Sequence, residues 1–121
     1  MRLDHLAIRV RDHQRSRDWY MSNFGFRIDV EVPERHTVGL KDDADFTLFL
    51  EESPDQVAPS CKLALQVDDV ESKYQELSAR GVRFEKAPQK LYWGYGAELR
   101  DPDGYLVYVW DERSMREKGG G

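Results

Sequence analysis

Leu3-Asp4-His5-Leu6-Ala7-Ile8-Arg9-Val10-Arg11-Asp12 and Ser60-Cys61-Lys62-Leu63-Ala64-Leu65-Gln66-Val67-Asp68-Asp69 are two versions of one phrase, set 57 residues apart. Each carries a loosely alternating run of aliphatic residues that reads as a strand, and each ends on an aspartate suited to cap a helix. After Asp12, Ser16 to Asn23 continue as a helix with Trp19, Tyr20 and Phe24 on its apolar side, and Gly25 stops it. After Asp68 or Asp69, either of which can cap the second helix, the apolar stripe is Val70, Tyr74 and Leu77, and Gly81 is the stop. Strands are predicted over Phe26–Val32, Thr37–Leu40 and Phe46–Leu50 in the first half, with Pro33-Glu34-Arg35-His36 and Lys41-Asp42-Asp43 as turns. The second half repeats them over Val82–Phe84, Leu91–Leu99 and Tyr105–Trp110, with a turn at Asp101-Pro102-Asp103-Gly104. The reading is α+β: two tandem β-α-β-β-β units, about 1–53 and 60–112, joined by 54–59 into one domain over 1–112.

Composition narrows the function. A chain of 121 residues is one domain's worth, long enough to bury a core without staples. Its single cysteine, Cys61, excludes an intramolecular disulfide and a cysteine-cluster metal site. No apolar run approaches a membrane span and no secretory leader is evident, so a soluble cytoplasmic protein without membrane partners is expected. The net charge of −5 is unevenly spread: residues 1–27 carry six arginines and three acids, residues 28–60 nine acids against Arg35 and Lys41. Phosphate neutralisation dominates nucleic-acid affinity, and this balance argues against such a partner; Arg9, Arg11, Arg15 and Arg17 read as a solvated helix face and its lead-in. Beyond Asp111, Glu112-Arg113-Ser114-Met115-Arg116-Glu117-Lys118 and three glycines offer little apolar surface, so 113–121 reads as a flexible tail.

In its motifs the chain resembles the vicinal oxygen chelate superfamily, which includes glyoxalase I, bleomycin-resistance proteins and extradiol dioxygenases. The residues are Leu3-Asp4-His5-Leu6, Ser16 with Trp19-Tyr20 and Phe24-Gly25-Phe26, Val67-Asp68-Asp69-Val70, Arg80-Gly81-Val82 and Asp101-Pro102-Asp103-Gly104, covering about 2–112. The resemblance implies an open, cup-shaped mixed sheet with helices outside, and commonly a homodimer. In the enzymes the cup holds a divalent metal at four inward positions. Here those positions carry His5, Phe49, Lys62 and Tyr108, and only His5 is a ligand of the usual kind. A catalytic site needs about three ligands, a protonated lysine repels a dication, and a phenol holds its proton up to about pH 10. No metal cofactor is therefore expected, with His5 and Glu98 as the residues of any displaced divalent site.

Strand alternation fills in the rest of the cup. With His5 inward, Leu3, Ala7 and Arg9 share its face, as do Thr47 and Phe49, then Lys62, Ala64 and Gln66, and finally Leu106, Tyr108 and Trp110. Trp93-Gly94-Tyr95-Gly96 reads as an aromatic flap over this face. The expected ligand-binding residues are thus His5, Ala7, Phe49, Lys62, Gln66, Trp93, Tyr95, Tyr108 and Trp110. The leading functional expectation is metal-independent binding of a planar or acidic hydrophobic small molecule, with Lys62 as its anion anchor. The alternatives are a metal-dependent lyase, isomerase or dioxygenase with displaced ligands, and metal-free catalysis by His5, Tyr108 and a Lys62 of lowered pKa.

Overall fold

A computed structural model describes residues 1–53, 55 and 57–120. Pro54 and Gln56 of the expected linker, and Gly121 of the expected tail, lie outside the described residues. The chain divides into two units, Met1–Pro59 and Ser60–Gly121.

The first unit is built on strand β1 (His5–Val10), helix α1 (His13–Phe24) and strands β2 (Arg27–Val32), β3 (Thr37–Lys41) and β4 (Thr47–Glu52). Asp12 starts α1 as the sequence predicts: its carboxylate accepts the N–H groups of Gln14 and Arg15, two donors the first turn leaves without helical partners. Gly25 ends the helix at φ 72°, a left-handed conformation that glycine adopts without a Cβ penalty. A single tight helical turn, Pro33–Arg35, joins β2 to β3, and His36 follows it at φ 50°. The strand order is β1-β4-β3-β2, with β1 and β4 parallel and the other pairs antiparallel. Ile8, Val10, Leu48 and Leu50 are buried beneath α1 with Tyr20, which is fully enclosed.

The second unit repeats this plan with strand β5 (Lys62–Gln66), helix α2 (Val70–Ala79) and strands β6 (Phe84–Leu91), β7 (Gly94–Arg100) and β8 (Leu106–Trp110). Asp69 caps α2 through the Ser72 N–H, and Gly81 turns the chain at φ 89°. The order β5-β8-β7-β6, with β5 parallel to β8, matches the first unit strand for strand. Leu63, Val70, Leu77, Leu99, Val107 and Val109 form its core. The fold is α+β in two tandem β-α-β-β-β units, each an open four-stranded mixed sheet with helices on one face. No helix among the described residues is long and apolar enough to cross a membrane.

The structure corrects two sequence readings here. The second strand of the second half, β6, runs from Phe84 to Leu91 rather than over Val82–Phe84. It tolerates Pro88 because β6 is an edge strand, where the missing N–H is not needed by a second neighbour. The C-terminal stretch read as a flexible tail contains a third helix, α3 (Glu112–Lys118). Its order comes from tertiary contacts that composition does not show. Buried Asp111 caps it through the Ser114 N–H at 2.6 Å and hydroxyl at 3.0 Å, while also accepting the Val70 N–H at 2.7 Å. Met115 then seats against Gly94 in the space a Cβ would fill, and the φ of 140° there independently favours glycine.

Candidate functional site

The strand registers sort the expected site residues by face. In the second unit Ala64 pairs with Tyr108, Gln66 with Trp110 and Glu98 with Tyr108, so these side chains share the sheet face turned away from the helices. Lys62 lies at the end of this row, and the β6–β7 turn delivers Tyr92 and Trp93 to it. Lys62 Nζ donates to the Tyr92 hydroxyl at 3.2 Å, and that oxygen is 2.8 Å from the Tyr108 hydroxyl. The ammonium stands 5.9 Å and 5.8 Å from the Tyr92 and Tyr108 ring centroids. Trp93 stacks on Tyr108 with centroids 4.7 Å apart and planes 13° from parallel.

Trp93 is held from behind. Its Nε1–H donates to Glu98 Oε2 at 2.9 Å, and Lys86 Nζ lies 4.0 Å from the other carboxylate oxygen. Glu98 is buried in this role rather than open as a substitute metal ligand. Gly96 gives the indole its room, because a Cβ there would meet the Val109 carbonyl oxygen and the far edge of the Trp93 ring. Gly96→Ala is therefore expected to cost about 1–3 kcal/mol, as overpacking does, and to lift Trp93 off Tyr108. Thermal unfolding together with near-ultraviolet circular dichroism checks this; an unchanged melting temperature and aromatic signal would refute it.

The flap reading does not survive. Gly94, Tyr95 and Gly96 belong to β7, paired with Leu91, Lys90 and Gln89 of β6, and only Tyr92 and Trp93 form the turn. Tyr95 points to the helix face. Its hydroxyl donates to Glu71 of α2 at 2.8 Å and Lys118 of α3 lies 5.0 Å from its ring centroid, so it is not on the face of Lys62 and Tyr108.

The electrostatics favour anion recognition over imine chemistry. Hydrogen bonding to Tyr108 and Tyr92 holds Lys62 above its usual pKa, the opposite of what a nucleophilic lysine needs. Tyr92 is lowered by the hydrogen bonds it shares with Tyr108 and Lys62, whereas Tyr108 is raised by its bond to Tyr92 and by burial. The alternative of metal-free catalysis by a desolvated Lys62 of lowered pKa is not supported: Lys62 is exposed and its pKa is raised, not lowered.

In the first unit His5, Ala7, Thr47 and Phe49 share one face through the β1–β4 register. His5 meets the Phe49 ring edge-on at 5.1 Å, and its Nδ1 lies 3.3 Å from Asp4 Oδ2. Phe49 covers Gly39 of β3, where a Cβ would come within 2.9 Å of the ring.

Sequence reasoning missed a different cluster in this unit. His13 at the start of α1, His36 after the tight turn and Glu52 at the end of β4 converge on the helix-covered side of the sheet. His13 Nδ1 is 2.9 Å from Glu52 Oε1 and His36 Nδ1 is 2.8 Å from Oε2, while the His13 backbone N–H also donates to Oε1 at 3.0 Å. These contacts, those of His13 first and then His36, hold the Glu52 carboxyl down at a pKa of about 2. The histidines were readable as a helix start and a turn. The missing signal was β1–β4 pairing, which sets Glu52 beside Val10, just before the Asp12 cap.

Residues 2–109 match the sequence profile of the Glyoxalase/Bleomycin resistance protein/Dioxygenase superfamily. The chain belongs to this superfamily. Among solved structures it is similar to TnmS3, an antibiotic binding protein from Streptomyces sp. CB03234, at 27% identity over 92% of this chain and 95% of that one, with a TM-score of 0.77. It shares its fold with a lactoylglutathione lyase from Agrobacterium tumefaciens, at 17% identity over 93% and 94% of the two chains and a TM-score of 0.73. An integron cassette protein from a Halifax Harbour sewage outfall metagenome has the same fold, at 18% identity over 89% and 96% and a TM-score of 0.78. No curated protein matches the chain.

Superfamily enzymes often use a divalent metal, and the donor chemistry at their four inward positions can be tested here. Phe49 offers no donor, Lys62 offers a cation, and the Tyr108 hydroxyl is engaged with Tyr92 and held protonated. His5 alone is a ligand of the required kind. These residues do not fit the superfamily's metal.

Proposed function

We propose that this superfamily member binds a small planar acid without a metal and works by sequestering it. The observation that carries the reading is the joined set of a charged Lys62, the Tyr92 and Tyr108 hydroxyls and the Trp93–Tyr108 stack on one open sheet face. A flat ring would lie along the aromatic surface while its carboxylate or phenolate takes the ammonium, displacing the Tyr92 contact. Lys62, Gln66, Trp93, Tyr108 and Trp110 are the proposed contacts in this unit, and His5, Ala7 and Phe49 form the equivalent face of the first. Similarity to an antibiotic binding protein supports binding over turnover. A cytoplasmic location and pairing of two chains belong to the same reading, the latter supported by the exposed apolar Leu3, Leu6, Ile28 and Val30 of the first unit.

The test is a panel of aryl carboxylates and polycyclic phenols, followed by calorimetry with and without chelator. Binding of a planar acid at equal affinity in both conditions, with the ligand recovered unchanged, is the expected result. Binding that vanishes in chelator, or conversion of the ligand, would replace this reading with the metal-dependent lyase, isomerase or dioxygenase.

A further inference from the structure

We propose that His13, His36 and Glu52 form a binding site for a divalent transition metal on the helix-covered side of the first unit's sheet. The residues are far apart in the chain but their ligand atoms all lie within 4.8 Å of one another. Both imidazoles already present Nδ1 to the same carboxylate, one to each oxygen. The arrangement differs from the position implied by the superfamily in residues and in sheet face, since His5 and Phe49 stand on the opposite side of β1 and β4.

The donor set selects the ion. Two imidazoles and one carboxylate suit zinc, cobalt, nickel or copper. Calcium needs six to eight oxygens and magnesium a near-octahedral oxygen shell, neither of which this cluster supplies. Three protein ligands leave at least one coordination position for water or an exogenous donor. Access is graded: His13 and Glu52 side chains are 15% and 26% exposed, and His36 is 63% exposed, so an ion enters past His36.

Backbone contacts organise the cluster from outside. The His13 N–H fixes Glu52 Oε1, and the Glu52 N–H bonds the His36 carbonyl at 3.1 Å. Such support orients ligands before the metal arrives. The positive end of α1 opposes a cation beside His13, and the Glu52 carboxylate set between the two imidazoles offsets it. A bound ion would pin the start of α1, the turn after Arg35 and the end of β4 to one point. The site does not depend on the ligand face proposed above.

The experiment uses the full chain, stripped with chelator, dialysed and titrated with Zn(II), Ni(II) and Co(II). Calorimetry, thermal unfolding and the cobalt d–d absorption spectrum are the readouts. One equivalent is expected to bind, to raise the melting temperature and to give a cobalt spectrum of mixed nitrogen and oxygen ligation. His36→Asn preserves the left-handed backbone at this position, since asparagine tolerates it, and removes the imidazole. It and Glu52→Gln are each expected to weaken binding at least tenfold, about 1.4 kcal/mol, while His5→Asn leaves it unchanged. No binding by any of the three ions, binding unaffected by His36→Asn, or binding lost in His5→Asn would overturn the proposal. Planar-acid binding measured on His36→Asn and Glu52→Gln separates the two readings, because neither residue lies on the proposed ligand face.

Discussion

Lys62→Ala is expected to weaken the binding of planar acids by roughly tenfold to a hundredfold, with little change in melting temperature. Two magnitudes frame the expectation. An exposed ion pair contributes only about 0.2–1 kcal/mol, less than about fivefold in affinity. A charge-assisted hydrogen bond that the ligand shields from water contributes roughly 1.5–3 kcal/mol, which is the larger range. The aromatic surroundings decide for the second, because a ring lying on Trp93 and Tyr108 would exclude water from one side of the ammonium. Stability should hardly move, since Lys62 is exposed and its contact with Tyr92 sits at the surface. Calorimetry on parent and variant measures the effect. A loss below about fivefold would mean that the acid group is held elsewhere. Lys62→Arg should restore part of the affinity, though a planar fork replaces a compact ammonium.

Asp111→Ala should produce a large loss of stability in the second unit. The carboxylate accepts three hydrogen bonds from groups that have no water to turn to: the Val70 N–H, the Ser114 N–H and the Ser114 hydroxyl. Losing a helix cap costs about 1 kcal/mol, and each buried donor left unpaired adds about 1–3 kcal/mol before relaxation. A total near 3 kcal/mol is expected, a fall of roughly 10 °C in melting temperature for a chain of this length. Asp111→Asn should be intermediate, since its amide keeps one acceptor but turns a donor toward one of the donors Asp111 satisfies.

The pH dependence of the same residue follows in sign. Burial pushes the Asp111 carboxyl up, but the bonds from Ser114 and Val70 outweigh it and hold its pKa below the usual value. Its folded pKa is thus lower than its unfolded one, so its contribution is complete above the ordinary carboxylate range and is lost as pH falls through the folded value. The stability gap between parent and Asp111→Asn should therefore be constant near neutrality and close in acid. A gap that persists unchanged at low pH would show that the charge is not what matters.

Local signals carried most of the fold. Asp12, Asp69, Gly25 and Gly81 each act within one helical turn, so their meaning is complete in the sequence around them. The β6–β7 hairpin was harder, because its turn is Tyr92-Trp93 while the glycines that signal a turn lie inside β7. Those glycines answer to Met115 and to the Trp93 ring, which reach them through space. Helix α3 was missed for the same reason: its cap also serves α2, and its anchor is a methionine on a glycine. On the ligand face, alternation placed Lys62, Gln66, Tyr108 and Trp110 together, and the same parity, once β7 was correctly bounded, removes Tyr95. The His13–His36–Glu52 cluster needed a parallel pairing across some forty residues, which no window of sequence contains.

That pairing also sets an order of events during synthesis. In each unit the strand that leads, β1 or β5, finds its hydrogen-bonded neighbour only in the strand that comes last, β4 or β8. Contacts between chain ends carry the highest loop-closure cost and form slowly. On the ribosome, the first sheet cannot be completed until Glu52 has left the exit tunnel, and the second cannot be completed until Trp110 has. Until those moments the leading strands present bare backbone edges, and the nascent chain is at its most vulnerable to unwanted pairing.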